Sequence, residues 1–370
     1  MHIVIHGATN LSNFGDILFA HLFYNESIKN GYDTDFYSGS GFGIGEFCRK
    51  ELQYYKKCKG LKFLGADAMV LMSGGYFGED KHSLKNTIVR YFRFFFPARL
   101  FQLTKKPIYV LGVGGGPLYS KFLKKVAVKI LNYAKLVYVR DEETKKYFKE
   151  YGCSNDINVT SDTALCISAD NLPTCTACDE KLAEIRAVHD RGEKVILLHA
   201  LCSANMDEKV ADRVVPALNR FLENHKNYHV VVSTDGLFNG DLRELKTYKL
   251  LNSDKVIVYN YSNSLYFCKL INEVDFVVTM KLHVGIIASN FGKSVVSFPI
   301  HIEKVGRFYR QIREAQRSKR LEETESSEIY DMMEEYYDKP IVISSELRQR
   351  AQCNLDALGK IGEKARENVQ

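Results

Sequence analysis

Short runs of apolar, mostly β-branched residues alternate along this chain with longer segments in which apolar residues recur every three or four positions. Runs of the first kind are typical of strands buried on both faces of a parallel sheet, and the longer segments are typical of helices that pack on it. The predicted strands cover residues 2–6, 68–72, 108–111, 136–139, 159–165, 195–199, 230–233, 256–259 and 275–278. This alternation predicts an α/β protein.

The length of the chain predicts more than one domain. A chain of 370 residues exceeds the usual size of one domain, so we expect two lobes, each with a core of its own. A polar segment from Asp170 to Asp179 separates two groups of strands. We therefore predict a first lobe at residues 1–175, a second lobe at 185–340 and a closing polar helix at 341–370.

One stretch of the second lobe combines a strand end, a helix start and several charges. Lys281 and His283 follow the last predicted strand and lie at the start of a predicted buried helix. Unpaired backbone N–H groups at such a helix start favour anions, and Lys281 and Lys304 add positive charge. His199 and Asp235 end strands at the same predicted edge. A core histidine with solvated lysines is the alternative interpretation.

Polar residues and glycines also mark two strand ends of the first lobe. Asn13 and Asp16 flank the start of the first predicted helix, where they suit contacts with ligand hydroxyls. Simple N-capping of that helix is the alternative. Gly74 and Gly75 follow a strand and would allow a ligand to approach the backbone closely, although a tight packing turn explains them equally well.

A glycine-rich run and an arginine follow the next two strands. The run from Gly112 to Gly116 lacks the spacing of the dinucleotide-binding fingerprint and the acidic residue that should follow it. Arg140 stands between a strand end and a helix start, where the helix dipole disfavours a cation. We expect an anion or Asp141 to compensate it. The mismatch favours a functional role over a purely structural ion pair.

The composition narrows the class of protein and of ligand. Apolar residues make up 45% of the chain and charged residues 26%, which indicates a packed globular protein. The net charge of +6 is modest, and the basic residues are spread along the chain without a nucleic-acid motif. An anionic small substrate fits this charge, and no nucleic-acid partner is expected.

Cysteine usage and the absence of targeting signals bear on the compartment. No signal peptide is visible and no apolar run is long enough to span a membrane, so a cytoplasmic location is expected. Nine scattered cysteines, an odd number, indicate free thiols in a reducing compartment. The close pair Cys175 and Cys178 has no two further ligands at zinc-site spacing, so no metal site is predicted.

The segment Arg90–Phe101 combines dense aromatic residues with arginines and one proline. This mixture is typical of an interfacial surface, and it predicts a peripheral contact with an anionic membrane. A core helix with basic edges is the alternative interpretation of the same residues.

Several short motifs occur in one order along the chain, at successive strand ends. They are Asn13–Asp16, Ser73–Gly75, Gly112–Leu118, Val139–Glu142, Asp162, Leu282–His283 and Lys304. In this order they resemble the polysaccharide pyruvyl transferase family over residues 1–310. The resemblance implies two Rossmann-like lobes in a glycosyltransferase-B-like arrangement, with the active site in the cleft between the lobes.

The resemblance also implies a reaction and the residues that carry it. The family transfers pyruvate from phosphoenolpyruvate to a sugar, commonly as a cyclic ketal on two hydroxyls, and releases phosphate. The acceptor would belong to a bacterial-type surface polysaccharide or its lipid-linked precursor; no cofactor or metal is implied beyond phosphoenolpyruvate as donor substrate. The implied catalytic residues are Arg140, His283 and Lys304; the donor-binding residues are Lys281, Leu282, Gly114, Gly115 and Gly116; the acceptor-binding residues are Asn13, Asp16, Gly74, Gly75 and Asp162.

Three positions depart from the family pattern. Lys281 stands where the family has an arginine, Ser294 where a proline is common, and His301 where a tyrosine is frequent. Lysine keeps the positive charge but lacks the planar fork of arginine, so we expect donor affinity to be set differently here.

Activation of phosphoenolpyruvate needs cations for its two anionic groups and an acid for its methylene carbon. We expect His283 to be the general acid while the basic residues of the site hold the donor and stabilise the departing phosphate. The base that accepts protons from the sugar is Asp16, Asp162 or the deprotonated His283, and the residues do not choose among them.

Two other functions fit a two-lobed α/β chain. The first is a nucleotide-sugar-dependent glycosyltransferase, for which Glu314 and Glu322 have the glutamate spacing seen in retaining members. The second is a non-catalytic relative that keeps the fold without the reaction. The charged residues at the predicted strand ends favour an enzyme.

Overall fold

The computed structural model describes residues 1–9, 13–37, 51–52, 55–58, 60–79, 83–174, 176–199, 204–235, 240–300 and 302–362. The chain forms two compact units, the first made of Met1–Cys166 together with Ser344–Gln370 and the second of Ile167–Ile343. The first unit thus ends before residue 175 and includes the C-terminal helix. The segment after Cys166 belongs to the second unit because Asn290 and Lys269 donate hydrogen bonds to its carbonyl oxygens.

Eight strands among the described residues of the first unit form one parallel sheet. They are β1 His2–His6, β2 Asp33–Tyr37, β3 Lys57–Cys58, β4 Ala68–Leu71, β5 Gly74–Phe77, β6 Ile108–Gly115, β7 Leu136–Val139 and β8 Asn158–Val159. The order is β3-β2-β1-β4-β6-β7-β8, with β5 paired to β6. The chain changes direction across the sheet between β1 and β4, and in open α/β sheets such a switch point is where ligands bind.

The helices of the first unit bury their apolar sides against this sheet. They are α1 Phe14–Lys29, α2 Leu84–Arg90, α3 Phe96–Gln102, α4 Lys121–Tyr133 and α5 Glu142–Glu150, with one π-helical turn, Tyr91–Phe95, between α2 and α3. Strand residues such as Val110 and Val137 share a core with helix residues such as Phe101 and Phe148, all of them buried. Because both faces are covered, the strands are apolar throughout rather than alternating.

The described part of the second unit contains a smaller parallel sheet with the same central arrangement. Its strands are β9 Lys194–His199, β10 Tyr228–Ser233, β11 Val256–Val258, β12 Phe276–Thr279 and β13 Ser294–Ser297, in the order β11-β10-β9-β12-β13. The switch point lies between β9 and β12. The helices are α6 Thr176–Asp190, α7 Ala204–Asn224, α8 Lys246–Lys249, α9 Ser264–Glu273, α10 Leu282–Asn290, α11 Ile302–Gln311 and α12 Ser326–Tyr336.

The last helix, α13 (Ser345–Gly359), packs on the first unit through a buried asparagine. The amide of Asn354 donates to the carbonyl oxygen of Ser161 and to the hydroxyl of Thr163, and its oxygen accepts a bond from Thr160. Buried polar groups satisfied in this way hold one geometry firmly. The helix therefore fixes the short segment that carries Asp162.

The structure corrects three predicted strand ends. The strand predicted at residues 159–165 ends at Val159, and Thr163–Cys166 forms a 3-10 turn. Gly74 and Gly75 were predicted to follow a strand as a loop, but they begin β5. The loop predicted from Gly112 is also wrong, because β6 continues to Gly115. Glycine has no side chain and so leaves no periodic pattern, which is why these strand residues resemble a loop in the sequence.

Two observations concern membranes and metals. Within the described ranges, none of the helices combines the length and the apolar character of a membrane span. Among the same residues, no cluster of three or more His, Cys, Asp or Glu side chains could hold a metal ion. Cys175, one member of the predicted close pair, lies outside the described residues.

Candidate active site

In the first unit, the predicted residues Asn13, Asp16 and Gly74 lie together at the carboxyl edge of the sheet. Asn13 occupies the N-cap position of α1, but its side chain does not cap the helix. Its amide nitrogen instead donates to the Oδ2 atom of the buried Asp16, at 2.8 Å. A Cβ atom on Gly74 would lie 3.5 Å from the other carboxylate oxygen of Asp16. The simple N-capping interpretation of Asn13 is therefore wrong.

Arg140 follows β7 and is buried between two carboxylates. Its Nη1 atom lies 3.2 Å from Oδ2 of Asp162, and its Nε atom lies 3.6 Å from Oδ2 of Asp141. Asp141 also caps α5 by accepting a bond from the backbone N–H of Thr144. The expectation that Asp141 compensates Arg140 is confirmed, and Asp162 shares the task.

Glycines make room for the guanidinium group of Arg140 and for two aromatic rings. A Cβ atom on Gly114 would lie 2.5 Å from Nε of Arg140, so no other residue fits there without moving the arginine. A Cβ atom on Gly115 would meet the ring of Phe148 at 2.5 Å. Gly116 has a φ of +64° and packs against the ring of Tyr147. These glycines accommodate side chains of the protein itself, and their assignment to donor binding stays a prediction.

The charges at this edge of the first unit are mostly negative. Asp16, Asp141 and Asp162 are buried there with Arg140. Carboxylates are acceptors only and bind O–H donors well, whereas they repel a phosphate. The edge is therefore suited to sugar hydroxyls.

In the second unit, β12 leads into α10 through Lys281, as predicted. Lys281 has extended backbone geometry at the N-cap position, and its own side chain does not cap the helix. Its Nζ atom lies 3.1 Å from Oδ2 of Asp235, which is 1% exposed at the end of β10. Leu282 and His283 form the first turn of α10, and the Nε2 atom of His283 is buried.

His199 lies at the same edge of the sheet but was not among the predicted site residues. It is the last residue of β9, the central strand, and is fully buried with its ring 6.0 Å from that of Phe267. Neither ring nitrogen has a hydrogen-bond partner among the described residues. Burial lowers the pKa of His199 to about 4; Asp235 opposes this shift and Lys281 reinforces it. The available signal was its position on the same edge as Asp235.

Lys304 comes from the helix that packs beside α10. It is half-buried in the first turns of α11. The two helices approach closely at Gly285, where a Cβ atom would lie 2.7 Å from the hydroxyl oxygen of the buried Tyr309. Arg307, on the same helix, is a second buried cation. The second unit thus gathers lysines, histidines and a helix N-terminus at one sheet edge, an arrangement that favours an anion.

A family model described as polysaccharide pyruvyl transferase matches residues 13–301. The chain belongs to the polysaccharide pyruvyl transferase family. The matched range contains all the predicted site residues of this pyruvyl transferase relative except Lys304. A comparison with curated proteins finds no match.

Solved structures similar to this pyruvyl transferase family member are epimerases and glycosyltransferases. UDP-GlcNAc 2-epimerase from Neisseria meningitidis, bound to UDP-GlcNAc, is 14% identical with a TM-score of 0.66, covering 97% of this chain and 100% of that one. A putative UDP-N-acetylglucosamine 2-epimerase from Listeria monocytogenes is 14% identical with a TM-score of 0.62, covering 98% and 96%. The spinosyn rhamnosyltransferase SpnG is 9% identical with a TM-score of 0.50, covering 97% and 95%. The predicted α/β, glycosyltransferase-B-like fold is confirmed.

The two glutamates that suggested a glycosyltransferase form ion pairs at different places. Glu314 accepts a bond from Nε of Arg317, at 2.8 Å. Glu322 pairs with Lys209 and lies near Nε of Arg320. Glu314 precedes the 3-10 turn Ala315–Arg317, whereas Glu322 lies within a second 3-10 turn, Leu321–Glu323.

Proposed function

We propose that this protein transfers the pyruvyl group of phosphoenolpyruvate to a sugar, as a cyclic ketal on two hydroxyls, and releases phosphate. Its family acts in polysaccharide pyruvyl transfer. The single observation that most supports the donor is the pairing of Lys281, at the N-terminus of α10, with the buried Asp235. A buried carboxylate paired in this way orients the lysine, which can then meet an incoming anion at low entropic cost.

The donor is proposed to bind at the carboxyl edge of the second sheet. Phosphoenolpyruvate carries a carboxylate and a phosphate, which suit the backbone N–H groups of α10 and the ammonium groups of Lys281 and Lys304. His199 is neutral at pH 7, because its pKa is about 4. One of its ring nitrogens can then donate a hydrogen bond to the donor, and the other can accept one.

The chemistry is proposed to begin at the methylene carbon of the donor. His283 protonates this carbon, which turns the methylene into a methyl group and leaves positive charge on the neighbouring carbon. A sugar hydroxyl attacks that carbon and loses its proton to a base. The bond between that carbon and the phosphate oxygen then breaks, and phosphate leaves with the electron pair. The second hydroxyl attacks the same carbon, gives its proton to the deprotonated His283 and closes the ketal. The products are the ketal and inorganic phosphate.

We propose Asp16 as the base, with the acceptor at the carboxyl edge of the first sheet. Both oxygens of Asp162 are engaged, one by the ion pair with Arg140 and one by the backbone N–H of Ala164. Neither oxygen of Asp162 is therefore open to a sugar hydroxyl. Asp16 has the neutral amide of Asn13 among its partners, and Gly74 beside it brings no side chain. Arg140 is then a residue that positions Asp162 at the acceptor.

The acceptor is proposed to be a sugar of a surface polysaccharide or of its lipid-linked precursor, and the enzyme is proposed to work in the cytoplasm. The excess of buried carboxylates in the first unit supports a neutral, hydroxyl-rich acceptor. The proposed reaction needs no cofactor.

The test is release of inorganic phosphate from phosphoenolpyruvate, measured with a panel of sugars and lipid-linked sugars. We expect release that depends on the acceptor, with a product heavier by the mass of a pyruvyl ketal. Release of nucleoside diphosphate from a nucleotide sugar, with none from phosphoenolpyruvate, would support the glycosyltransferase alternative that the fold of the neighbours suggests. Binding without turnover of either donor would support a non-catalytic relative.

A further inference from the structure

One part of the first unit has an unusual charge. Residues 83–140 contain twelve lysines and arginines and no aspartate or glutamate. The remaining 39 basic and 45 acidic residues give the rest of the chain a net charge of −6. The positive charge of this segment exceeds that negative charge and makes the whole chain basic. The basic residues are spread along the chain, and this segment stands out because it contains no acidic residue to balance them.

Most of the segment folds into one layer of helices. It contains α2, the π-helical turn, α3 and α4. The ring of Tyr91, in the π-helical turn, contacts those of Phe92 and Phe96 and lies 5.0 Å from that of Phe122 in α4. The helices from both ends of the segment therefore meet side by side at an aromatic cluster.

The inner side of this layer is core, as one of the two predicted interpretations required. Phe94, Phe95, Ala98 and Phe101 are all buried. Their burial accounts for the high aromatic content of Arg90–Phe101 only in part. The outer side of the layer carries exposed side chains instead.

Large apolar side chains are exposed on the outer side. Leu84, Ile88 and Phe92 recur every four residues, so they lie along one helix face. Phe122 and Tyr119 extend this face at the start of α4, and each of the five side chains is at least 48% exposed. Contiguous exposed apolar surface of this kind marks a contact with a partner or a membrane.

Exposed lysines surround these apolar residues. Lys85 lies on α2, and Lys121 and Lys125 lie on α4. The nearest acidic residue of the described chain before the segment is Glu79, which is buried and accepts bonds from the backbone N–H groups of Tyr119 and Ser120. Its carboxylate is thus held inside the unit, and the only charged side chains that residues 83–140 themselves supply to the outer face are basic.

We propose that this face, which we call the basic aromatic face (Leu84, Lys85, Ile88, Phe92, Tyr119, Lys121, Phe122 and Lys125), binds the surface of an anionic lipid membrane. Aromatic and aliphatic side chains enter the boundary between headgroups and acyl chains, while lysines contact the lipid phosphates. Leu84 and Ile88 cannot stack on bases, so a lipid surface explains the face better than a nucleic acid does. This proposal does not depend on the chemistry proposed for the site.

The test is co-sedimentation of the full-length protein with vesicles. We expect binding to vesicles of phosphatidylcholine with about a third phosphatidylglycerol, weaker binding in high salt, and little binding to pure phosphatidylcholine. The Phe92→Ser/Phe122→Ser variant should partition at least about tenfold more weakly, since two exposed aromatic side chains no longer enter the lipid. The Lys121→Glu/Lys125→Glu variant should lose most of the preference for anionic vesicles.

Matched controls lie elsewhere on the surface. Leu250 and Val342 are exposed apolar residues of the second unit, and Lys62 and Lys249 are exposed lysines outside the segment. The Leu250→Ser/Val342→Ser and Lys62→Glu/Lys249→Glu variants should bind anionic vesicles like the wild type. Thermal unfolding shows whether each variant is folded.

Three results would overturn the proposal. They are equal binding of wild type to neutral and anionic vesicles, equal loss in a folded control variant, and tight binding of single-stranded RNA by a protein that does not sediment with anionic vesicles. The last result would assign the face to nucleic acid instead. None of these measurements depends on turnover, so a failed activity assay leaves them unaffected.

Discussion

In each unit a strand beside the switch point of the sheet, β1 or β9, ends with a buried histidine, and the two histidines differ in their hydrogen bonds. Burial lowers the pKa of both His6 and His199 to about 4. The Nε2 atom of His6 bonds the carbonyl oxygen of Phe94 at 3.0 Å, and its ring packs edge-on against Tyr37. His199 has no such partner in the described part of the chain. A lowered pKa is therefore common to both histidines; they differ in that one ring nitrogen of His6 is hydrogen-bonded, whereas neither ring nitrogen of His199 is bonded by a described residue.

The charges at the carboxyl edges of the two sheets differ as well. The edge of the first sheet carries three buried aspartates with Arg140, while that of the second carries Lys281 with Asp235 and the basic side of α11. Two sheets with related strand orders thus carry opposite kinds of charge at their carboxyl edges. We attribute this difference to opposite tasks, hydroxyl recognition in the first unit and anion recognition in the second.

The largest effect is expected at His283. The His283→Gln variant should lower kcat for phosphate release about a hundredfold to ten-thousandfold, because the proton donor to the methylene carbon is lost. His189→Gln is a matched control, since His189 pairs with Asp275 at the other end of the sheet. Near-full activity of His283→Gln in the release assay would remove His283 from the mechanism.

Substitutions at the two edges should separate the two substrates. Asp16→Asn should lower kcat about a hundredfold or more while the KM for phosphoenolpyruvate changes little, because it removes a base of the first unit.

Lys281→Met/Asp235→Asn should raise the KM for phosphoenolpyruvate roughly tenfold to a hundredfold, as expected for a lost charge-assisted hydrogen bond.

Lys281→Met alone would leave the carboxylate of Asp235 buried and unpaired, which would destabilise the fold. The second substitution, Asp235→Asn, removes that charge. Lys281→Arg retains the charge and should keep a KM close to that of the wild type. If Asp16→Asn raised the KM for the donor, or the double variant affected only the acceptor, the assignment of one task to each unit would fail.

Replacing the two buried histidines by leucine should change stability unequally. His6→Leu leaves the carbonyl oxygen of Phe94 without its partner and should lower the free energy of unfolding by about 1–3 kcal/mol. His199→Leu removes nitrogens that no described group satisfies and should change it by less than about 1 kcal/mol, while donor affinity falls. Denaturant unfolding and donor titration measure the two quantities. Equal destabilisation by both variants would contradict the proposed difference between a hydrogen-bonded His6 and an unbonded His199.

The last expected effect is a dependence of stability on pH that the two histidines share. Each histidine has a folded pKa of about 4 and an ordinary value of 6.5, so between these values the unfolded chain binds more protons. Stability from these groups is complete above pH 6.5 and declines as the pH falls towards 4. The decline should be on the order of 1–2 kcal/mol per histidine at pH 5. Urea unfolding at pH 7.5 and 5 measures it, and His199→Leu should weaken the dependence.

Local pattern was sufficient for some parts of the site. The strand before Lys281 and the start of α10 at Leu282 could be predicted, since a β-branched run followed by apolar residues at helical spacing defines both. Asp141 could be predicted as the partner of Arg140 because the two residues are adjacent in the chain. These features depend on residues close together in sequence.

Other parts depend on strand order and could not be predicted. The pairing of Lys281 with Asp235 requires β10, β9 and β12 to lie side by side, and their order follows from long-range packing. The same order places His199 beside both. In the first unit, β5 was missed because Gly74 and Gly75 contribute no side-chain pattern.

The return of the C-terminal helix α13 to the first unit has a consequence for biosynthesis. This helix completes the first unit, yet the ribosome makes it after the whole second unit, residues 167–343. At ~5–20 residues per second, translating that stretch takes on the order of 10–35 s. Throughout this time the segment around Asp162 lacks Asn354. A premature stop before Ser344 would therefore leave the unit made first unfinished, although every residue of its sheet had been translated.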